Sequence, residues 1–562
     1  MAGGLLNIIS NGTANVILTG NPTKTFFKVA YSKYTNFGLQ KFRLDYDGQR
    51  DLRLTEESKF TFKIKRYGDL LMDTYVVMTL PDIWSPIYHP CSETNNRWSP
   101  YEAKWIQHLG SQLIKEVEIQ CGAYTLQKYS GPYLKAMVER DFSAEKKDLF
   151  DRMTGHIPEL NNPADVPDRT NGFPHPSHKY PSSYYTKTTV GAEPSIRGRN
   201  VYIPINTWFT LDSRCAFPLV SLQYNELTIT VTLRSIQDLL QVRDVFDTSN
   251  NCPYVQPDFN QDRFQMYRFL QTPPAIHITA DQYANKTLTW NADIHLLATY
   301  CFLSNEESKL FAAQDQVYLV KDVFEYKFQN CTGSTKVKLK SSNGMVANWM
   351  YYLQRSDVSL RNEWSNYTNW PYNTIPANMY PAPLTVNGQD TYDASGLIYG
   401  PFREPNGKYT GIFISGDFNP HNRKEILETM GVVFEGDYRE NVMPRGVFDY
   451  IEKYTRTQGS AKDGLYCYNF CLNTSPFEYQ PSGAINLSRF KNIELELTTY
   501  IPPINNSEGK FNVVCDQTGQ PVSVSSTPGW AIYKYNYDIT IFEERYNVLS
   551  FTGGNCGMLY AR

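Results

Sequence analysis

The end of this 562-residue chain resembles its middle. Leu219 to Leu233 reads LVSLQYNELTITVTL, and Asn486 to Ile501 reads NLSRFKNIELELTTYI. Each is a short lead-in followed by alternating polar and apolar residues, the period of a half-buried strand. After a variable loop each is followed by a second strand that ends in paired glutamates. In the middle this is ADIHLLATYCFLSNEES (Ala292 to Ser308), and at the end it is AIYKYNYDITIFEERYN (Ala531 to Asn547). A strand pair that recurs once per half-chain implies one β-unit used twice, a building unit rather than a catalytic scaffold.

The length agrees. A single hydrophobic core stops growing at roughly 250–300 residues, so at least two cores are expected. Aromatics make up 14% of the chain, with 41 Tyr and 30 Phe, and these stiff side chains favour a pleated face. KFTFKIKR (Lys59 to Arg66) alternates strictly, with Phe60, Phe62 and Ile64 on one face and Lys59, Lys63 and Lys65 on the other. LIKEVEIQ (Leu113 to Gln120) alternates less cleanly. TYVVMTLP, after Asp73, is nearly continuous and fits a central sandwich strand. Three short helices are expected: from Ser143 through Met153, with Gly155 just past its end; from Ser304 with Glu307 into KLFAAQ; and between Asn419–Pro420 and Gly431. There is no β-α-β alternation. Long Pro-, Asn-, Ser- and Tyr-rich stretches at about 84–104, 155–197, 238–272 and 365–410 read as loops, of the length that is usually functional.

The repeat divides the chain into an uncharged N-terminal arm (1–24), a first unit (25–304), a linker helix (305–313) and a second unit (314–562) opened by VYLVKDVFEYKF at Val317. The fold class is all-β: two consecutive eight-stranded antiparallel jelly rolls, a double jelly roll, with long loops and a few short helices.

Function classes fall away in turn. A net charge of −3 argues against a dedicated nucleic-acid binder. The first charged residue is Lys24, so the opening lacks the basic region of a signal peptide, and Ala2 breaks the myristoylation pattern. The longest apolar run, His295 to Leu303, is about half the length that crosses a bilayer. A soluble protein without an obvious secretory route is expected. Ten cysteines in 562 residues are too sparse for a disulfide framework and read as buried thiols; Cys467 and Cys471 have no second pair at zinc spacing. No phosphate loop and no GxSxG elbow occurs. GGNCG (Gly553 to Gly557) reads as a turn rather than a nucleotide loop.

The remaining candidates are weak. His175 and His178 lie in a Pro-rich loop with no third ligand nearby. Asp417, Glu435 and Asp437 could imitate a glycosidase pair but read as surface acids. Trp349, Trp364 and Trp370 could stack on sugars or simply anchor loops. The lysines of KFTFKIKR read as a solvated strand face, or as a surface turned toward something anionic. Seven Asn-x-Ser/Thr sequons, at Asn11, Asn285, Asn330, Asn366, Asn473, Asn486 and Asn505, are expected to be unused, several lying in or beside strands. No catalytic, metal or cofactor residue is assigned.

Seven segments, in order, resemble the major capsid protein family of nucleocytoplasmic large DNA viruses. They are TGNPTKTFFKVAYSKYTNF (Thr19), RYGDLL (Arg66) with LGSQLIKEVEIQCGAYTL (Leu109), IPINTWFTLDSRCAFPLVSLQYNEL (Ile203), FLSNEESKLFAAQ (Phe302), QPSGAINLSRFKNIELEL (Gln480) and ERYNVLSFTGGNCGMLYAR (Glu544). Cys215 and Phe217 stand where small or aliphatic residues are expected. The resemblance implies a structural, non-enzymatic subunit of the virion. Homotrimers would form pseudo-hexagonal capsomers that tile an icosahedral shell. The partners it implies are neighbouring capsomers, minor capsid and penton proteins and an inner membrane layer met by the arm, with no cofactor and no specific nucleic acid. The alternatives are a minor, penton-like or scaffolding paralogue, a glycan-binding β-sandwich, or a carbohydrate hydrolase.

Overall fold

The structure is a computed structural model describing residues 4–6, 10, 35–85, 102–163, 194–244, 254–272, 283–340, 344–370, 400–403, 409–414, 423–478, 480–501, 512–515, 521–525 and 535–560. The first half carries β1 (Gly38–Asp45), β2 (Ser58–Lys63), β3 (Leu70–Thr79), β4 (Ala103–Trp105), β5 (Ile114–Cys121), β6 (Tyr124–Ser130), β7 (Asn200–Pro204), β8 (Phe217–Pro218), β9 (Leu227–Leu233), β10 (Leu240–Arg243), β11 (Tyr254–Val255) and β12 (His295–Phe302). The second carries β13 (Gln316–Phe328), β14 (Ser334–Leu339), β15 (Met345–Arg355), β16 (Gly400–Arg403), β17 (Tyr409–Ile414), β18 (Leu427–Phe434), β19 (Asp437–Pro444), β20 (Leu465–Asn469), β21 (Ile485–Asn486), β22 (Ile493–Thr499), β23 (Asn512–Cys515), β24 (Pro521–Ser525), β25 (Tyr537–Thr552) and β26 (Asn555–Met558).

Each half forms two sheets around four main strands, in the orders β1-β12-β3-β7 (with β8 added on β3) and β2-β9-β5-β6, then β13-β25-β15-β20 (with β21 on β15 and β26 on β25) and β14-β22-β18-β19. All these pairings are antiparallel. In each half the first long strand lies beside the last, as in a jelly roll. Even the minor strands repeat: β8 pairs with β3 as β21 pairs with β15. The alternation of KFTFKIKR is realised, with Phe60, Phe62 and Ile64 in the core and the lysines outside. The apolar run of β3 is an interior strand, as expected.

Four expectations need correction. The repeated segments are not hydrogen-bonded strand pairs. β9 lies between β2 and β5, β12 lies between β1 and β3 in the opposite sheet, and β22 and β25 repeat those interior positions. The paired glutamates are not equivalent either: Glu306 and Glu307 begin a helix, whereas Glu543 and Glu544 sit buried within β25. The helix expected to end at Gly431 is replaced by strand β18, while Asn419 and Pro420 lie outside the described residues. Gly431 marks a close strand approach: an added Cβ would stand 3.2 Å from Val442 and 3.3 Å from Tyr438, beside a register shift of the β18–β19 pair. Finally, the stretch 238–272 is not a bare loop. Its β10 joins β4 and β11 in a small three-stranded sheet.

Two of the expected helices form. One, α2 (Ala144–Thr154), is capped by the Ser143 side chain and closed by Gly155 at φ 82°. Another, α3 (Asn305–Ala313), is capped by Ser304 and lies between β12 and β13. A third, α1 (Gly131–Asp141), was not anticipated. Near the N-terminus Leu6 packs against the core of the second sandwich.

Candidate functional site: the seam between the two sandwiches

Helix α1 follows β6 without a linker, and Gly131 makes that junction possible. A Cβ there would lie 1.9 Å from the Ser111 carbonyl oxygen and 2.2 Å from that of Ile114, so only glycine fits. Pro132 occupies the first turn, where no N–H is needed. Nearly every residue of α1 is buried, because its far side meets the outer face of sheet β13-β25-β15-β20. Strand β15 shows why that sheet reads as a continuous apolar run. Trp349, Tyr351 and Leu353 enter the second sandwich's own core, while Met350 and Tyr352 point the other way and join the first. The Tyr133 ring meets Phe542 edge-on at 5.5 Å.

At the centre of the seam, Arg140 is 1% exposed. Its guanidinium donates to Asp141 Oδ2 (2.9 and 2.6 Å), to Asn348 Oδ1 (2.8 Å) and to both oxygens of Glu544 (2.9 and 3.0 Å). Glu544 also accepts from the Tyr133 hydroxyl (2.8 Å) and Asn348 Nδ2 (2.8 Å). Asp141 accepts from Thr474 Oγ1 (2.6 Å), whose carbonyl receives Lys321 Nζ (3.0 Å). Two cations thus face two carboxylates, and residues from α1, β13, β15 and β25 share one network. Burial acts to raise the Glu544 pKa, but Arg140 and Lys321 outweigh it and hold the group ionised below its ordinary range. Burial lifts Asp141 above its own ordinary value. Such a network adds little over apolar packing when intact, but losing one member leaves an unpaired buried charge.

The same helix carries a second polar cluster. His108 and His156 stack at 3.7 Å, and the His108 backbone N–H donates to His156 Nδ1 (3.1 Å). Burial, reinforced by Lys135, Lys147 and Lys462, keeps both rings neutral: His108 stands well below its usual value and His156 at about 3. Glu139 is held at about 2 by those lysines against its own burial, and it accepts the Lys462 backbone N–H (3.1 Å). Burial raises Asp151 to about 6. Gly459 closes the end of α1, its N–H donating to the Arg140 carbonyl at 2.7 Å.

Further contacts extend the seam. Gln241 Nε2 donates to the Arg361 carbonyl (2.6 Å) and Gln112 Nε2 to Ser365 Oγ (3.0 Å). The turn at Gly553–Gly554 between β25 and β26 docks on the first sandwich, the Gly554 carbonyl receiving the N–H groups of Gln223 and Tyr224. Beside it the buried thiols of Cys121 and Cys556 share a hydrogen bond. Phe217, a departure noted above, lies in this seam with its ring 5.1 Å from Phe551. Two of the recognisable motifs also meet: Asp69 of RYGDLL accepts the Leu303 N–H (2.8 Å) and the Ser308 hydroxyl (2.7 Å).

The weaker sequence candidates do not converge. His175, His178 and Asp417 lie outside the described residues. Glu435 sits at a positive-φ turn, where the backbone amides of Asn492 and Lys491 hold its carboxylate below the usual range, and Asp437 opens β19 on the exposed side of that turn. Trp349 donates to Glu543 (2.7 Å) and Trp364 to the Asp238 carbonyl (2.9 Å), so both anchor structure; Trp370 is half-buried. Cys467 and Cys471 are buried free thiols. The sequon asparagines 285, 366, 473 and 486 each turn the side-chain carbonyl onto the N–H two residues on, so Asn-x-Ser/Thr here builds turns. Among the described residues no group of three or more metal-ligating side chains stands together, and no helix is long and apolar enough to cross a membrane.

Comparison with known proteins decides between a general sandwich protein and a shell subunit. Residues 25–270 match the family described as major capsid protein N-terminus, and residues 307–557 match the large eukaryotic DNA virus major capsid protein family. The chain belongs to the major capsid protein family of large eukaryotic DNA viruses. The major capsid protein of Phaeocystis pouchetii virus is 23% identical over 606 residues, covering 100% of both chains. That of Paramecium bursaria Chlorella virus 1 is 23% identical over 563 residues, again covering 100% of both. A quasi-atomic model of the PBCV-1 virus capsid superposes with a TM-score of 0.57 at 18% identity, covering 96% of this chain and 100% of that one. For a major capsid protein the place of work is the virion shell. Within this chain, the seam around Arg140 fixes the two sandwiches against each other.

Proposed function

We propose that three copies of this chain close into a ring of six sandwiches, a pseudo-hexagonal capsomer that tiles an icosahedral shell and performs no chemistry of its own. The observation that carries this reading is the repetition of one eight-strand topology within a chain whose two copies share a buried seam. Two similar wedges per subunit under three-fold symmetry give near-sixfold positions. The units of this reading are 25–304 and 314–562, joined by 305–313. The arm at 1–24 meets minor capsid proteins or the inner membrane layer beneath the capsomer, and penton proteins fill the vertices.

The mass of the purified protein in solution tests it. A stable species near three times 64.7 kDa with a hexagonal outline in electron micrographs is expected. A persistent monomer with a single open cleft overturns the reading.

A further inference from the structure

The repeat extends to the helices behind the sixth strand of each sandwich. Strand β6 ends at Ser130, and α1 runs eleven residues from Gly131 to Asp141. Strand β19 ends at Pro444, and a turn of π-helix (Val447–Ile451) followed by α-helix (Glu452–Arg456) runs ten residues. The two helices occupy the same place in the same topology, but their burial differs. Helix α1 is covered on both sides because the second sandwich lies over it. The second helix buries Phe448, Asp449 and Lys453 against its own sandwich and leaves Tyr450 (51% exposed), Ile451 (55%) and Tyr454 (90%) bare. These three lie at i, i+1 and i+4, on one face of a helix.

The sheet that receives α1 also has a counterpart. Helix α1 docks on the outer face of β13-β25-β15-β20, and the equivalent sheet of the first sandwich is β1-β12-β3-β7. There Val76, Met78, Leu296 and Ala298 point into the core, so Tyr75, Val77 and Leu297 face outward by strand alternation, together with Tyr202, which pairs with Val77. Of these Val77 is already buried (2% exposed), Tyr75 and Leu297 are half-buried and Tyr202 is 39% exposed. One chain thus carries a bare aromatic helix at one end of its repeat and the matching sheet face at the other.

We propose that Tyr450, Ile451 and Tyr454 dock on the outer face of β1-β12-β3-β7 of a second copy of this chain, repeating between chains the seam that α1 makes within one. The contact is head-to-tail: each copy offers one helix and receives one, which closes when the rotation is three-fold. The chemistry of the two seams differs. On the receiving sheet Asp73 is already bonded to Lys41 and Thr299, and Arg43, which pairs with Leu297, to Asp45 and Asp293. The contact between chains is therefore aromatic at its centre, flanked by charges already paired within one chain.

This inference rests on the trimeric reading, and two experiments separate their failures. The first compares the full-length chain with an I451E/Y454E double variant and with Leu149→Glu, an exposed control on α2. Sedimentation equilibrium should show wild type and control as trimers. The double variant should be a monomer, its self-association weakened at least 100-fold, with an unchanged circular dichroism spectrum and unfolding midpoint. In the second, a photo-crosslinking residue at Tyr454 should capture peptides carrying Tyr75, Tyr202 or Leu297 of another copy. A wild type that never trimerises sinks the capsomer reading itself. A trimeric wild type whose double variant is equally trimeric, or a crosslink to any other surface, overturns this contact and leaves the trimer standing.

Discussion

Strands β12 and β25 hold the same position in the same sheet order, yet their surroundings differ. Over its 16 residues β25 is buried almost throughout, because its outer face carries Phe542 and Glu544 against α1. Over its eight residues β12 keeps half-covered positions at His295, Leu297 and Phe302, and its neighbour β1 is mostly exposed. Topology alone therefore does not dictate the apolar pattern of a strand. What lies on the far side of the sheet does.

Substitutions in the two helices should break this pairing most sharply. Gly131→Ala drives a Cβ into two carbonyl oxygens and should lower stability by more than about 4 kcal/mol in a denaturant titration. At Gly446, which caps the start of the second helix with helical φ −59° and the nearest side-chain atom 3.6 Å away, alanine should be neutral or stabilising by up to about 1 kcal/mol. Equal effects at the two sites would show that the helices are not differently enclosed. Next in size, Arg140→Ala strands Glu544 and Asp141 in the seam and should cost about 3–5 kcal/mol, whereas Thr455→Ala, on an open helix face, should stay within about 0.5 kcal/mol. Thermal melts of the pair read the difference.

The smallest effect is acid sensitivity. Because His108 and His156 are neutral in the folded state below their unfolded pKa, their contribution is present above about pH 6.5 and lost as pH falls. Asp151, raised to about 6, returns part of the loss, while Glu139 stays ionised to well below pH 5. From pH 7 to 5 the net loss should be about 2–3 kcal/mol. His156→Asn should cut that loss to about a quarter, because the offset from Asp151 remains. Hydrogen exchange should rise around α1 and α2 but not in the β14–β22 pair; a uniform rise would deny the cluster its role.

The sequence displayed most clearly what one covered face produces. KFTFKIKR announces its register because Lys59 and Lys63 face solvent while Phe60 and Phe62 do not. The repeat was visible for the same reason, since β9 and β22 each have one polar face. The seam was illegible because its helix breaks the amphipathic rule: Lys135, Glu139, Arg140 and Asp141 are all buried, and the partners Asn348, Lys462, Thr474 and Glu544 lie hundreds of residues away. The direct adjacency of Ser130 and Gly131–Pro132 was the available signal for α1. Gly431 misled in the opposite way, its role in a tight strand crossing resembling a helix stop.

The double burial of sheet β13-β25-β15-β20 also sets an order of manufacture. A ribosome completes β12 and the whole of α1 well before β25 emerges, so the second sandwich condenses onto a finished template. A circular permutant opening near Asp315 would reverse that order. It would release Met350, Tyr352 and Phe542 as a bare apolar sheet face while the chain that covers them was still being made, and its nascent chains should aggregate where the natural order does not.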